Sequence, residues 1–364
     1  MPEAPLAGVR VLDMTRLLPG NYATVALVEM GAEVTKVEAA EGDGTRWVGP
    51  FLPSGESGAF VQLNRGKASV VLDLKDPAGS AEFAALITDS DVLVDSFRPG
   101  VLDRLGFSQE QLRALRPNLV HVTIDAYGSG GDLEQVPGHD INALGYAGVL
   151  TLAGSPSLSG LQVADLAAGL HAALAVLAGL RMAAGGDFAR YEVAMSDAAL
   201  AMAQLPLGGW LATGQAPSVP WDLTGRWACY DVYECADSQW LTVGALEPKF
   251  FAEILDRVGL GTWKTAQYDL TRQDELRAAL QAVFASHERA HWLALLASAD
   301  TCVGPALTLS EAMSHPNLTA RPVMRQVRAA DGSMHQVFAA LPWLPAQNPE
   351  PLSAPGLGQD SPRG

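Results

Sequence analysis

Residues 9–37 constrain the fold more than any other part of the chain. Residues 9–14 have the pattern of a short strand, and Pro19-Gly20-Asn21 interrupts it. Residues 22–30 then place apolar side chains at helical spacing until Gly31 stops the helix. Residues 32–37 return as a strand. Two strands joined through a helix run parallel with a right-handed crossover, and such sheets bind ligands beyond the carboxyl ends of their strands. The first turn, Leu17-Leu18-Pro19-Gly20, contains no GxGxxG, so nicotinamide dinucleotide chemistry loses its usual anchor.

The same alternation continues. Residues 41–64 read as a long Gly-, Pro- and Ser-rich loop, residues 69–74 as a strand, 77–89 as a helix, and 92–94, 120–124 and 191–195 as further strands. A Rossmann-like parallel α/β domain is expected over residues 1–205. Residues 206–225 have the composition of a linker. The alternating runs 228–232 and 240–243, joined at Ala236-Asp237-Ser238, predict a hairpin, and residues 248–258, 273–284 and 291–297 predict helices. These make a smaller α+β domain over 226–325, followed by a C-terminal segment, 326–364, that is Pro-rich and extended from Pro342.

Composition narrows the partners. The chain has 364 residues, 48% hydrophobic and 18% charged, enough for two ordinary globular domains. A formal net charge of −16 argues against nucleic acid and against an anionic membrane surface, so an anionic ligand needs a local basic pocket. Arg65 and Lys67, flanking Gly66 at the entrance of the third strand, have suitable chemistry for phosphates, as a planar fork and a mobile point charge. Cys229, Cys235 and Cys302 have no metal-ligand spacing and read as buried apolar residues in a reducing cytosol; no metal is expected. Residues 1–5 lack a basic stretch before an apolar one, which points to a cytoplasmic protein. The longest apolar run, 166–184, contains His171 and Arg181 and is mostly Ala and Gly, the pattern of a closely packed interior helix rather than a membrane span.

Pro137-Gly138-His139-Asp140-Ile141-Asn142 opens one helix, and Ala164-Asp165-Leu166 opens another at about residue 166. Asp140 or Asn142 can accept N–H bonds in the new first turn, which leaves His139 at an electropositive helix start that favours a neutral, basic imidazole. Single His and Asp residues in such places are usually caps. Two of them on neighbouring helix starts, after the glycine-rich loop Tyr127-Gly128-Ser129-Gly130-Gly131, are candidates for facing each other.

Blocks spread through nearly the whole chain resemble the α-methylacyl-CoA racemases within the family III CoA-transferase superfamily. They are GVRVLDMTRLLPGNYATVALVEMGAEVTKVE, NRGKASVVLDLK, DVLVDSFRPGVLDRLGF, GHDINALGYAGVL, ADLAAG, VGALEPKFF and ADTCVGPALTLSEAM. The resemblance implies the family III CoA-transferase fold, an interlocked homodimer with segments crossing near 205–225 and 325–345, and an acyl-CoA substrate with no cofactor besides the CoA that it carries. It implies His139 and Asp165 as catalytic groups, Glu247 as the carboxylate orienting the imidazole, and Asp140 and Tyr230 in support. For CoA it implies Leu72, Asp73, Lys75, Phe97, Arg98 and Arg104, with Arg65 and Lys67. One departure stands out: relatives place an arginine after the acidic residue that ends the second strand, where this chain has Glu38-Ala39-Ala40, and Arg46 is the nearest replacement.

Two reactions fit. A racemase moves the α-proton of a 2-methylacyl-CoA from one face to the other and needs two bases plus donors for the enolate oxygen. A CoA-transferase instead attacks the thioester with the carboxylate of Asp165. His139 favours the first, because transferases of this family commonly carry an aromatic residue there. A catalytically silent CoA-binding relative is the third possibility, suggested by Ala39.

Overall fold

The computed structural model describes residues 4–361 except 217–218, 297–298 and 349. The end of the helix expected over 291–297 and the first three residues of the N-terminal stretch fall outside the described residues. Two compact units form: one from residues 1–149, 158–204 and 321–364, the other from 150–157 and 205–320.

The first unit is built on six parallel strands, β1 (Arg10–Met14), β2 (Glu33–Glu38), β3 (Ala68–Val71), β4 (Val92–Asp95), β5 (Val120–Asp125) and β6 (Ala189–Ala194). Their order is β3-β2-β1-β4-β5-β6, every pairing parallel. This bears out the expected α/β class. The order reverses between β1 and β4, and that switch point opens a crevice at the carboxyl ends of these strands. Helices α1 (Leu17–Glu29), α2 (Gly58–Asn64), α3 (Pro77–Thr88), α4 (Val101–Arg104), α5 (Gln109–Leu115), α6 (Asp140–Tyr146), α7 (Val163–Ala183) and α8 (Met195–Met202) complete the layers. Leu12, Val70, Phe83, Ile87, Leu93 and Leu112 form the centre of one apolar core.

Small residues let α7 approach closely. A Cβ at Gly169 would lie 2.7 Å from the Pro19 carbonyl, and Ala164, Ala168 and Ala172 are fully buried. The helix is long and apolar enough to cross a membrane by composition, but here its small face packs on α1 and β5.

Under the α1 turn sits a buried ionic cluster that the sequence did not suggest. The Lys67 ammonium meets Asp13 at 2.9 Å, Thr24 Oγ1 at 2.7 Å and Asn64 Oδ1 at 2.8 Å. Lys36 meets Asp43 at 2.9 Å and Asn21 Oδ1 at 2.7 Å. Burial alone would raise the Asp13 carboxyl, but the charges of Lys36 and Lys67 and the bonds from Thr15 and Lys67 hold it far below the ordinary carboxylate range; burial pushes Lys67 down to about 8.

The C-terminal part of this unit begins with a hairpin, β10 (Met324–Arg328) and β11 (Met334–Phe338). Beyond it the chain returns to the edge strand β3. Ser69 N donates to Asp360 Oδ2 at 2.8 Å, Asp360 N to the Ser69 carbonyl at 2.9 Å, and Val71 N to Ser361 Oγ at 2.9 Å.

The second unit carries a three-stranded antiparallel sheet, β7 (Tyr230–Glu234), β8 (Trp240–Gly244) and β9 (Val303–Ala306), in that order. The expected hairpin between β7 and β8 is present, with Ser238 at φ 57° in its turn. Helices α10 (Pro248–Arg257), α11 (Gln273–Phe284) and α12 (Arg289–Leu296) cover a core of Tyr233, Leu241, Phe251, Phe284 and Trp292. Helix α9 (Gln204–Thr213) occupies much of the stretch read as a linker; its Pro206, Gly208 and Gly209 hid the helix from a composition argument.

Candidate active site

Two clefts open at the carboxyl ends of the first unit's strands, and Arg16, the residue after Thr15 at the end of β1, lines both. Arg16 is exposed, and its backbone N–H is tied to Ser96 Oγ at 3.0 Å, joining the ends of β1 and β4 at the switch point.

The first cleft, about 470 Å³, is lined by Leu72, Asp73, Lys75 and Phe97, four of the residues expected to meet CoA, together with Thr15, Ala39, Val101 and Leu105. Its size suits a small-molecule site. The wall after Glu38 is Ala39 and Ala40, so no guanidinium projects there. Arg46 does not replace it. Its Nε donates to Glu38 Oε2 at 2.8 Å, and its guanidinium stacks 3.8 Å over the Phe60 ring. Burial would raise Glu38, but bonds from Arg46, Ser69 and the Asp43 N–H outweigh it and keep the carboxyl ionised.

Arg65 and Lys67 correct the sequence reading more sharply. Both are buried, with Arg65 0% exposed. Arg65 pairs with Glu29, whose carboxylate also accepts the Ala340 N–H at 3.0 Å and the Leu341 N–H at 2.9 Å, and Lys67 belongs to the cluster around Asp13. The end of the loop expected over residues 41–64 is helix α2. Their charges hold the C-terminal segment and the first βα turn, and neither is free for a phosphate.

The second cleft, about 490 Å³, is lined by both His139 and Asp165, with Tyr127, Arg98, Asn142 and Met195. His139 is the N-cap residue of α6, as expected, and its N–H donates to Asn142 Oδ1 at 3.1 Å. Asp165 is the third residue of α7 rather than its cap, because the helix starts earlier, at Val163. Asp140 joins the two helix starts. Instead of capping its own helix, its Oδ1 accepts Ala164 N–H at 2.7 Å and Asp165 N–H at 3.2 Å, tying the start of α6 to the first turn of α7. Burial, and then the negative charge of Asp140, push the Asp165 carboxyl up to about 7.

Gly138 sets the approach on the other side of His139. A Cβ there would lie 2.6 Å from the Tyr127 hydroxyl and 2.9 Å from the Ala126 Cβ, so only glycine lets this turn close on the β5 loop. The loop itself hangs on Asp125, whose Oδ1 accepts the Tyr127 and Gly128 N–H groups at 3.0 and 2.5 Å. Burial, opposed by the Gly128 N–H and reinforced by Glu192, pushes Asp125 up to about 6. Sequence reasoning missed Asp125; its place at the last residue of a strand was the available signal. Arg104 is exposed and lines neither cleft. Glu247 and Tyr230 belong to the second unit, where Glu247 is the exposed N-cap residue of α10 and Gln267 Nε2 holds the preceding Leu246 carbonyl at 2.9 Å.

A carboxyl group held near neutrality in a cleft can accept a proton and give one back. Known proteins agree with the fold. The chain is 32% identical to an acetyl-CoA:oxalate CoA-transferase of Acetobacter aceti, over 88% of this chain and 85% of that one. It is 31% identical to the human α-methylacyl-CoA racemase, over 85% and 80%. A CAIB/BAIF family protein from Brucella suis superposes with a TM-score of 0.84 at 26% identity, covering 98% of this chain and 97% of the other. The sequence pattern of CoA-transferase family III matches residues 6–361. With that span matched and the fold shared, the chain belongs to CoA-transferase family III, a family of enzymes.

Proposed function

We propose that the protein is an α-methylacyl-CoA racemase, interconverting (R)- and (S)-2-methylacyl-CoA thioesters by proton removal and return at the α-carbon. The observation that carries this reading is the placement of His139 and Asp165 in one cleft on helices joined by Asp140, with Asp165 raised to about 7. A group whose pKa lies near the working pH serves equally as acid and as base, which a reversible 1,1-transfer requires. A nucleophilic carboxylate gains nothing from being protonated at neutral pH. In this reading the nucleotide end of the substrate lies against Leu72, Asp73, Lys75 and Phe97, and the thioester lies beyond Arg16.

The relatives include both racemase and transferases, so CoA transfer through an acyl-Asp165 intermediate is the second reading. One experiment separates them: a single enantiomer of a 2-methylacyl-CoA incubated in deuterated water, with and without an acceptor acid. Racemisation with α-deuterium incorporation, independent of the acid, is expected. Transfer to the acid with no α-deuterium and an acyl-enzyme trapped by hydroxylamine would sink the racemase reading.

The proposal includes no cofactor beyond the CoA of the substrate, a cytoplasmic location, functional roles for Glu247 and Tyr230, and a homodimer. Sedimentation should report twice the mass of one chain; a stable monomer at micromolar concentration would remove the dimer.

A further inference from the structure

At the carboxyl end of β5 two carboxylates hold one loop. Asp125, the last residue of the strand, accepts the Tyr127 N–H at 3.0 Å and the Gly128 N–H at 2.5 Å, both with Oδ1. On the neighbouring strand β6, Glu192 accepts the Ser129 hydroxyl at 2.6 Å with Oε2. Thr123 is paired with Glu192 and Asp125 with Ala194, so both acids project from the same face of the sheet as diagonal neighbours. The loop lies directly on β6: a Cβ at Gly128 would stand 3.5 Å from the Ala194 Cβ and 3.9 Å from Glu192 Oε1.

The second oxygen of Asp125 is the atom left over. Oδ2 is buried and receives no hydrogen bond, while Glu192 lies within hydrogen-bonding reach of the same side chain. Neither acid has a lysine or arginine partner among the described residues. Arg190 and the Asp95–His121 pair stand on the same sheet face, and Asp95 and His121 bond each other at 2.6 Å. Arg16, Arg98, Glu134, His139 and Asp165 line the cleft beside Asp125. Of these, Glu134 is engaged by the Gly130 N–H at 3.0 Å, and Arg98 by the Gln135 carbonyl at 3.4 Å. Two carboxylates in contact do not both carry charge without cost, and a buried oxygen without a donor adds to it. One proton on Oδ2, donated to Glu192, answers both.

We propose that Asp125 and Glu192 are positioning residues that hold one proton between them, and that this proton latches the loop of residues 127–131 against the cleft that His139 lines. Tyr127 lines that cleft too, and the close fit of its hydroxyl over Gly138 couples the loop to the residue before His139. Burial first, opposed by the Gly128 N–H, and then Glu192 raise the Asp125 carboxyl to about 6. With the loop lifted the carboxyl meets water and returns to about 4. The closed loop therefore takes up a proton between those values, so its advantage is full below about pH 4 and lost as pH rises through about 6. From pH 5 to pH 8 the open fraction of the loop rises about tenfold.

Hydrogen exchange of the peptide covering residues 126–131 in the full chain tests this without a substrate, once expressed as protection so that the intrinsic effect of pH is removed. Protection is expected to fall about tenfold between pH 5 and pH 8 in the wild type. Asp125→Asn keeps the Oδ1 acceptor and puts a permanent N–H where the proton sits, so its protection should stay level across that range. Glu192→Gln removes the second charge and should level it as well; Glu192 is exposed, so the fold tolerates this change even if it resists the first. A merely structural role would lower protection at every pH without altering its slope. In turnover, the wild-type profile of kcat/KM should carry a titration near pH 6 that Asp125→Asn lacks. This arm rests on the racemase reading; the exchange arm does not, so absent racemisation with the exchange pattern intact removes that reading and supports the latch. Wild-type protection that does not fall with pH, or a fall retained in both variants, overturns the proposal.

Discussion

His139→Ala is expected to lower racemisation in both directions by about 10²–10⁴-fold, the usual contribution of one positioned acid or base. Each direction needs one group to take the proton and the other to supply it, so removing either slows inversion from both enantiomers. Exchange need not stop. A variant that keeps one base still washes deuterium into the enantiomer whose proton faces that base, so His139→Ala and Asp165→Asn should show opposite enantiomer preferences. Equal loss of exchange from both enantiomers in both variants would refute the two-base assignment. The pH profile carries a second sign. Asp165 titrates near 7 in the folded protein and near 4 when unfolded, so the folded state binds more protons between those values and this group lowers stability as pH rises through that window. Asp165→Asn should therefore be more resistant to denaturant above pH 7 while losing activity, and an unchanged denaturation midpoint would contradict the raised pKa.

The largest stability effect is expected at Asp13. Replacing it with Ala leaves Lys67 and Lys36 in the interior with Asp43 as the remaining carboxylate of the cluster. Breaking a buried pair in this way costs about 3–5 kcal/mol, a large part of the 5–15 kcal/mol that holds a typical domain together. Because Asp13 is held well below its unfolded pKa, its contribution is present above about pH 4 and lost only as pH falls toward the folded value. Denaturant titration of the wild type and Asp13→Ala at neutral pH checks this; a loss below about 1 kcal/mol would show that the lysines find other partners or give up their protons. Lys67, already lowered to about 8, is the one that would do so first.

How far the sequence could be read depended on whether a feature was local. The first strand–helix–strand, the β7–β8 hairpin and the helix starts at His139 and near Asp165 were legible because their signals lie within a few residues. Arg65 and Lys67 were misread because charged side chains are seldom buried, and their partners Glu29 and Asp13 stand 36 and 54 residues away. The reach of Asp140 across 24 residues to the Ala164 N–H could not be seen either, since an aspartate at a helix start normally bonds its own turn. Helix α9 was hidden by its glycines and proline, whose cost within a helix is outweighed by context. Arg46 shows the same limit in reverse: its position beside the missing guanidinium was visible, its commitment to Glu38 was not.

The return of residues 356–361 to strand β3 has a consequence for synthesis. A ribosome delivers β3 nearly three hundred residues before the segment that covers it, because Ser69 and Asp360 are separated by 291 positions. At ~5–20 residues per second, the edge of the sheet waits many seconds with its Ser69 and Val71 amides unanswered. An open edge of this kind is where nascent chains pair with one another. Closure of the first unit therefore comes late in synthesis, and the interval before it is when β3 is open to pairing with a neighbouring chain.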